Sequence, residues 1–395
     1  MQNSANRQRF TRSTLLTALI SITWLPVACA AGQAPAQSRP AATQQRQAGD
    51  FLYLSGQLGR DRVTGAQPEG IAEQTRLAME NIGQILKDAG MTHANLVKCH
   101  VYLDSMDDYT GMNKVYGSFF TERVPARTTV EAVGLPGGAG VQITCIAFRD
   151  LKRISVVRPP DGSLPAPLGP YSAAVWAGDT LFVSGMGGQF PEDRRLPEPL
   201  VEQVSQTLVN IRTTLDAAKL RFSDVVWGNV YLTEPKQAGD LSAPYGQPFA
   251  TGVQPPGAMI FLPRLPGAIK TEITFVATRG GDRQVIKGDG PGGQPRGIRA
   301  GGVLYTRGES APDAGRGFEE QFSAVLNRLT ATVRDAGMQA SDVASVQVYL
   351  ADMGDHASME RLFQEAFPHG PARTVIQEMP GHGAARVQAS LIAAR

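Results

Sequence analysis

Histidine and cysteine are scarce, with five histidines and three cysteines among 395 residues. The histidines are scattered and no Cys/His spacing resembles a metal site. Neither sign of charge dominates: 38 Lys and Arg are interspersed with 36 Asp and Glu, for a net charge of +2. That balance gives no polybasic face that would argue for nucleic acid or anionic lipid as a partner. Long apolar runs are also missing, apart from one at residues 15–28, which is short for a bilayer-spanning helix. Arg7, Arg9 and Arg12 precede it and the small residues Ala28-Cys29-Ala30 follow, the pattern of an export signal over 1–30. An uncleaved N-terminal anchor is the alternative to a cleaved signal; lipidation at Cys29 is a weaker one, because Pro26 stands where a lipobox takes leucine. Residues 31–47, rich in Ala, Gln and Pro, read as a disordered tether. The expected location is periplasmic or secreted, without stable membrane association once the leader is cleaved. Two cysteines then remain, Cys99 and Cys145, both in strand-like runs. They either pair in an oxidising compartment or stay as buried apolar thiols.

What the chain does have is repetition. Val101-Tyr102-Leu103 returns as Val230-Tyr231-Leu232 and again as Val348-Tyr349-Leu350, at steps of 129 and 118 residues. Gln74, Gln203 and Gln321, each in a helical stretch upstream, keep the same two steps. The repeats are expected at 48–150, 154–279 and 284–395, each long enough for a core of its own. In the first, residues 51–56 read as a strand and 71–89 as an amphipathic helix closed by Gly90. A strand over 95–103 and a helix over 108–120 follow, the latter placing Tyr116 and Phe120 on one face toward the core. Strands over 127–133 and 141–148 close the unit around a Gly137-Gly138 turn. This is an α+β unit with helices on one sheet face. Its other face needs a partner, which three copies in one chain can give each other as a single-chain pseudo-trimer.

These residues resemble the Rid family, the reactive intermediate deaminases also called YjgF proteins. The resemblance rests on Leu54-Ser55-Gly56-Gln57, Asn113 and Tyr116, Pro125-Ala126-Arg127 and Leu135-Pro136 in repeat 1, and on Leu168-Gly169-Pro170-Tyr171 in repeat 2. With the two further copies it extends over nearly all of 51–395. It implies three chorismate-mutase-like (RidA-like) domains with small-molecule clefts at their boundaries. It also implies hydrolysis of small enamine and imine acids to 2-oxo acids and ammonia, with no metal or organic cofactor. The family arginine clamps the substrate carboxylate and a late-strand glutamate handles water. A guanidinium fork suits a carboxylate because two parallel donors meet two oxygens.

Carried over, the clamp falls on Arg127 and Arg373, but on Gly257 in repeat 2. The acid falls on Gln142, Glu272 and Gln388, so no repeat holds both groups. Glutamine can hold water yet accepts no proton. Three outcomes stay open. Glu272 joins Arg127 or Arg373 across a boundary in a composite site; an arginine cleft with Gln142 keeps slow activity, since imines hydrolyse without much help from a base; or the chain has become a non-catalytic binder of small carboxylates. An ion pair at a boundary would equally explain either arginine, and a solvated strand carboxylate would explain Glu272. Ser55, Gly56, Asn113 and Tyr171 are further substrate-binding candidates; Tyr171 aligns with Ala42 and Gln294, and Asn113 with Ser242 and Glu360. RNA cleavage lacks support, since no paired-histidine arrangement or basic groove is visible.

Overall fold

Each of the strands that carry the repeated tyrosines is followed in space by helices on one side and by the other repeats on the opposite side. The computed structural model describes residues 43–288 and 294–395, so the expected signal segment and most of the tether lie outside the described residues. The tether expected to run to residue 47 ends sooner. Gln45–Ala48 is a strand that pairs antiparallel with Phe51–Leu54 around the Gly49-Asp50 turn. The pairing satisfies backbone groups that polar composition alone suggested would stay solvated.

In repeat 1 the sheet order is Gln45–Ala48, Phe51–Leu54, Val141–Phe148, Leu96–Leu103 and Ala126–Glu131, the last pair parallel and the others antiparallel. Ile71–Asp88 and Tyr109–Gly117 are the two helices. Repeats 2 and 3 keep this order around Val225–Leu232 and Val343–Leu350, and each adds one antiparallel edge strand, Ile154–Val157 and Arg283–Ile286. The second helix of repeat 2 shrinks to Ser242–Gly246, where Pro235, Pro244 and Pro248 interrupt the helical hydrogen-bond ladder. The repeated glutamine does one job three times. Gln74 Oε1 accepts the Gly140 N–H, Gln203 Oε1 that of Lys270, and Gln321 Oε1 that of Arg386, at 2.8, 2.9 and 2.8 Å. Each ties the long helix to the turn before the last strand.

Leu96–Leu103 is buried along its whole length because it is covered on both faces. Leu96, Cys99, Val101 and Leu103 join the helix-side core of repeat 1. Lys98, His100 and Tyr102, at strand period two, lie on the other face. Cys99 and Cys145, opposite one another on neighbouring strands, form a disulfide, which decides between the two readings of these thiols.

Two further apolar clusters draw on all three repeats. One contains Tyr53, Phe148, Phe182, Trp227, Tyr305 and Ile392, the other Tyr102, Tyr231, Tyr349, Ile260 and Ile376. Tyr231 Oη lies 3.4 Å from His100 Nδ1, and Asn229 Nδ2 donates to Tyr349 Oη at 3.2 Å, so polar contacts also cross between repeats. The boundaries repeat one backbone bond. The Gly185 N–H donates to Arg127 O, the Gly308 N–H to Gly257 O and the Gly56 N–H to Arg373 O, each at 2.9 Å. Repeat 1 thus meets repeat 2, repeat 2 meets repeat 3, and repeat 3 returns to repeat 1.

Candidate active site

Arg127 opens the strand Ala126–Glu131 at the boundary with repeat 2, and only 3% of it is exposed. Its backbone N–H donates to Ser184 Oγ at 2.8 Å, which fixes the strand against the next repeat. The guanidinium sits among the rings of Tyr116, Tyr171 and Tyr109, 5.0, 5.6 and 5.8 Å from their centres. Such faces attract a cation without neutralising it. Nη2 donates to Tyr109 Oη at 3.3 Å, while the buried Nη1 has no partner among the described residues. A buried guanidinium donor left unpaired is costly, and an anionic ligand would satisfy it. Tyr116 keeps its expected place in the core and at the same time floors the arginine.

Glu272, in the repeat 2 strand Thr271–Thr278, lines the same cavity as Arg127. The cavity measures about 450 Å³. Glu272 packs so closely on Gly185 that a Cβ there would stand 1.7 Å from its Oε1. Burial pushes its carboxyl group up to about 8, against the opposing pull of Lys98, Arg127 and the Thr129 backbone N–H. Thr129 and Tyr171 complete the polar wall, and Met186, Pro266 and Ile269 form an apolar one. The link between repeats 1 and 2 also lines the cavity, through Pro160, Leu164 and Leu168. Asn113 and Arg127 both press on Gly169 of that link: a Cβ there would lie 2.8 Å from Asn113 Oδ1 and 2.6 Å from Arg127 Nη2.

The other two boundaries differ. At the return from repeat 3 to repeat 1, the Arg373 N–H donates to Ser55 Oγ at 3.1 Å, but the guanidinium is held by Glu360 through Nε at 2.8 Å and through Nη2. Its charge is already matched within repeat 3. Gln142 packs on Gly56 as Glu272 does on Gly185, and its Nε2 donates to Val375 O at 2.7 Å. Ser55, Gly56 and Gln142 therefore gather around Arg373 and are not part of the Arg127 cavity. Between repeats 2 and 3 a smaller hollow of about 120 Å³ surrounds Gly257, with Ser242 and Gln294 in its lining. Gln388 there faces His382, 3.2 Å from its Nε2.

Sequence reasoning missed Tyr109, Thr129, Gly185 and Lys98. Lys98 is the one that carried a signal: a lone lysine inside a largely apolar strand, 3% exposed in the structure. Lysine is almost never buried unless it is held by partners.

An α+β unit copied three times, with an arginine from one copy facing an acid from the next, defines a class of boundary-site proteins. The sequence pattern of the endoribonuclease L-PSP family matches residues 32–149, 162–279 and 294–386, and the chain belongs to that family as three tandem repeats. A 2-iminobutanoate/2-iminopropanoate deaminase of Bos taurus is 42% identical over 99 residues, covering 25% of this chain and 72% of the relative. A RutC family protein of Pyrococcus horikoshii is 40% identical over 109 residues, covering 27% of this chain and 86% of the relative. Among solved structures, RidA from a Psychrobacter species shares 34% identity over 27% of this chain and 88% of its own, with a TM-score of 0.27. E. coli TdcF with bound serine shares 25% over 32% and 99%, with a TM-score of 0.31.

Proposed function

We propose that the protein hydrolyses reactive 2-imino acids and their enamine tautomers, such as 2-iminopropanoate, to 2-oxo acids and ammonia at one composite site per chain. The observation that carries this reading is Nη1 of buried Arg127, without a partner among the described residues, in a guanidinium that lines a cavity shared by Glu272 of the neighbouring repeat. The deaminase relatives are consistent with that chemistry. Arg127 takes the substrate carboxylate, and the wall of Met186, Pro266 and Ile269 takes the side chain.

With its carboxyl group pushed up to about 8, Glu272 is largely protonated at neutral pH and enters the reaction as an acid. It protonates the imine nitrogen. The resulting carboxylate then accepts a proton from the water whose oxygen bonds to the iminium carbon, giving a carbinolamine. The same proton passes to the amino group as the C–N bond breaks, and the carbinolamine hydroxyl returns a proton to Glu272 as the new C=O forms. One imine and one water are consumed, one 2-oxo acid and one ammonia are released, and Glu272 is restored.

The ring of boundary bonds supports reading the chain as a single-chain pseudo-trimer. The leader composition, together with the Cys99–Cys145 bond, supports an exported protein in an oxidising compartment. Generating 2-iminopropanoate enzymatically and following its decay tests the reading. Wild-type protein accelerates the decay and Arg127→Ala does not; no acceleration by wild type rejects it. The replacement of the acid by Gln142 and Gln388 at two boundaries favours a second reading, a small-carboxylate binder without turnover. It predicts calorimetric pyruvate binding that Arg127→Ala removes, with imine decay unchanged.

A further inference from the structure

We propose that Lys98 is the third member of this site, a positioning residue whose buried ammonium acts across the repeat boundary on Glu272 and governs when that carboxyl group releases its proton. The proposal rests on the site reading above. Lys98 does not line the Arg127 cavity, so it does not touch substrate. Its Nζ donates at 2.9 Å to Thr128 Oγ1 of its own repeat and, also at 2.9 Å, to Val183 O and Thr274 Oγ1 of repeat 2. All three acceptors are neutral, and the opposite charge that acts on it is Glu272. Two short paths join the groups. Thr274 lies two residues beyond Glu272 on the same strand face, and the backbone N–H of Thr129, next to Thr128, is close enough to the Glu272 carboxyl group to favour its charged form.

The other boundaries act as internal controls. Lys98 aligns with Trp227 and Ser345, and Glu272 aligns with Gln388 and Gln142. Lysine and glutamate therefore occur together at one boundary, and both are neutral at the other two. At the return to repeat 1, where Ser345 replaces the lysine, Thr144 and Thr374 bond each other directly at 2.7 Å. Their counterparts Thr274 and Thr128 instead both accept from Lys98. A structural boundary of this fold is thus closed without the ammonium, which leaves the neighbouring carboxyl group as what distinguishes the boundary that has it.

The other ionisable groups facing the pair are Arg127, Tyr171, Tyr231 and His100. Burial, then Lys98, pushes His100 well below its ordinary value, so it adds no cation at neutral pH. The titrating behaviour of the site therefore belongs to Lys98 and Glu272.

The test is the carboxyl titration of Glu272, followed by carbon NMR in full-length wild type and Lys98→Met and assigned by its loss in Glu272→Gln. Removing the ammonium raises the Glu272 midpoint by roughly a few tenths of a pH unit, because Lys98 is only partly charged where Glu272 titrates, and the alkaline limb of kcat/KM for 2-iminopropanoate moves up with it. Pyruvate affinity, set by Arg127, stays within about twofold. A midpoint that is unmoved or falls overturns the proposal. If wild type proves to have no turnover, the deaminase reading fails while the carboxyl titration still decides this one. Should Lys98→Met not fold, Thr128→Val removes one acceptor of the ammonium and shifts the midpoint in the same direction; an unmoved midpoint there also overturns it.

Discussion

Gly257 lies so close to the carbonyl of Gly228 that a Cβ built on it would stand 1.5 Å from that oxygen. The position that carries arginine in the other two repeats has therefore lost the room for any side chain, because the backbone of the neighbouring strand has closed over it. The strand Met259–Phe261 is correspondingly short, three residues against six in Ala126–Glu131 and Ala372–Gln377. Gly257→Arg does not restore a clamp. It forces the strands apart and destabilises the protein by about 1–3 kcal/mol or more, the cost of overpacking a filled interior. Urea denaturation measures that loss, and imine decay no faster than wild type accompanies it; a stable variant with doubled activity would contradict the geometry.

Arg127 and Arg373 look interchangeable in sequence and are not so in space. Arg127→Ala removes two charge-assisted bonds of roughly 1.5–3 kcal/mol each, and kcat/KM falls by about 10²–10⁴-fold with little change in melting temperature. Arg373→Ala does the reverse. Turnover is kept, while Glu360 loses its arginine partner and retains only His356, and stability falls by about 1–3 kcal/mol, less than for a fully buried pair because Glu360 is 27% exposed. Kinetics and thermal unfolding on the same two variants separate the roles.

The disulfide joins cysteines 46 residues apart in strands that already pair. Its contribution comes mainly from restricting the unfolded chain. Replacing both Cys99 and Cys145 by alanine lowers unfolding free energy by about 2–4 kcal/mol while leaving imine decay near wild type, since both sulfurs face the helix-side core and not the cavity. Denaturant unfolding of the double variant, beside wild type kept oxidised, checks this.

Much of this architecture was legible because it is written three times. The common phase of Tyr102, Tyr231 and Tyr349, and of Gln74, Gln203 and Gln321, marks the central strand and the long helix of each copy. The separation of Arg127 from Glu272 into different repeats also raised the idea of a shared site. What remained hidden depends on neighbours distant in sequence. Nothing in the strand around Arg373 announces that Glu360 will hold it, and nothing near Gly257 announces Gly228. Lys98 and His100 stood at strand period among apolar residues, but alternation alone does not say whether an inward polar face meets water, a partner charge or another repeat. The early strand Gln45–Ala48 escaped for a related reason: its polar residues pair at a sheet edge, where composition resembles a linker.

Lys98 and Glu272 also give the protein a recognisable dependence of stability on pH. Glu272 is raised on folding from 4.5 to about 8, so its contribution is fully present below about 4.5 and is lost as pH rises through about 8. Lys98 is lowered from 10.5 to about 7, so its contribution is present above about 10.5 and is lost as pH falls through about 7. The two trends cross, and the pair is least favourable to folding at about pH 7–8, where both groups lie near their folded midpoints. The quantity to measure is the unfolding free energy of wild type minus that of Lys98→Met/Glu272→Gln, at about pH 5.5, 7.5 and 9.5, so that other titrating groups cancel. The difference should pass through a minimum at the middle pH. A flat difference, or a maximum there, would mean that the two groups titrate on folding as ordinary exposed side chains do, and that the buried pair does not set the proton chemistry of the boundary.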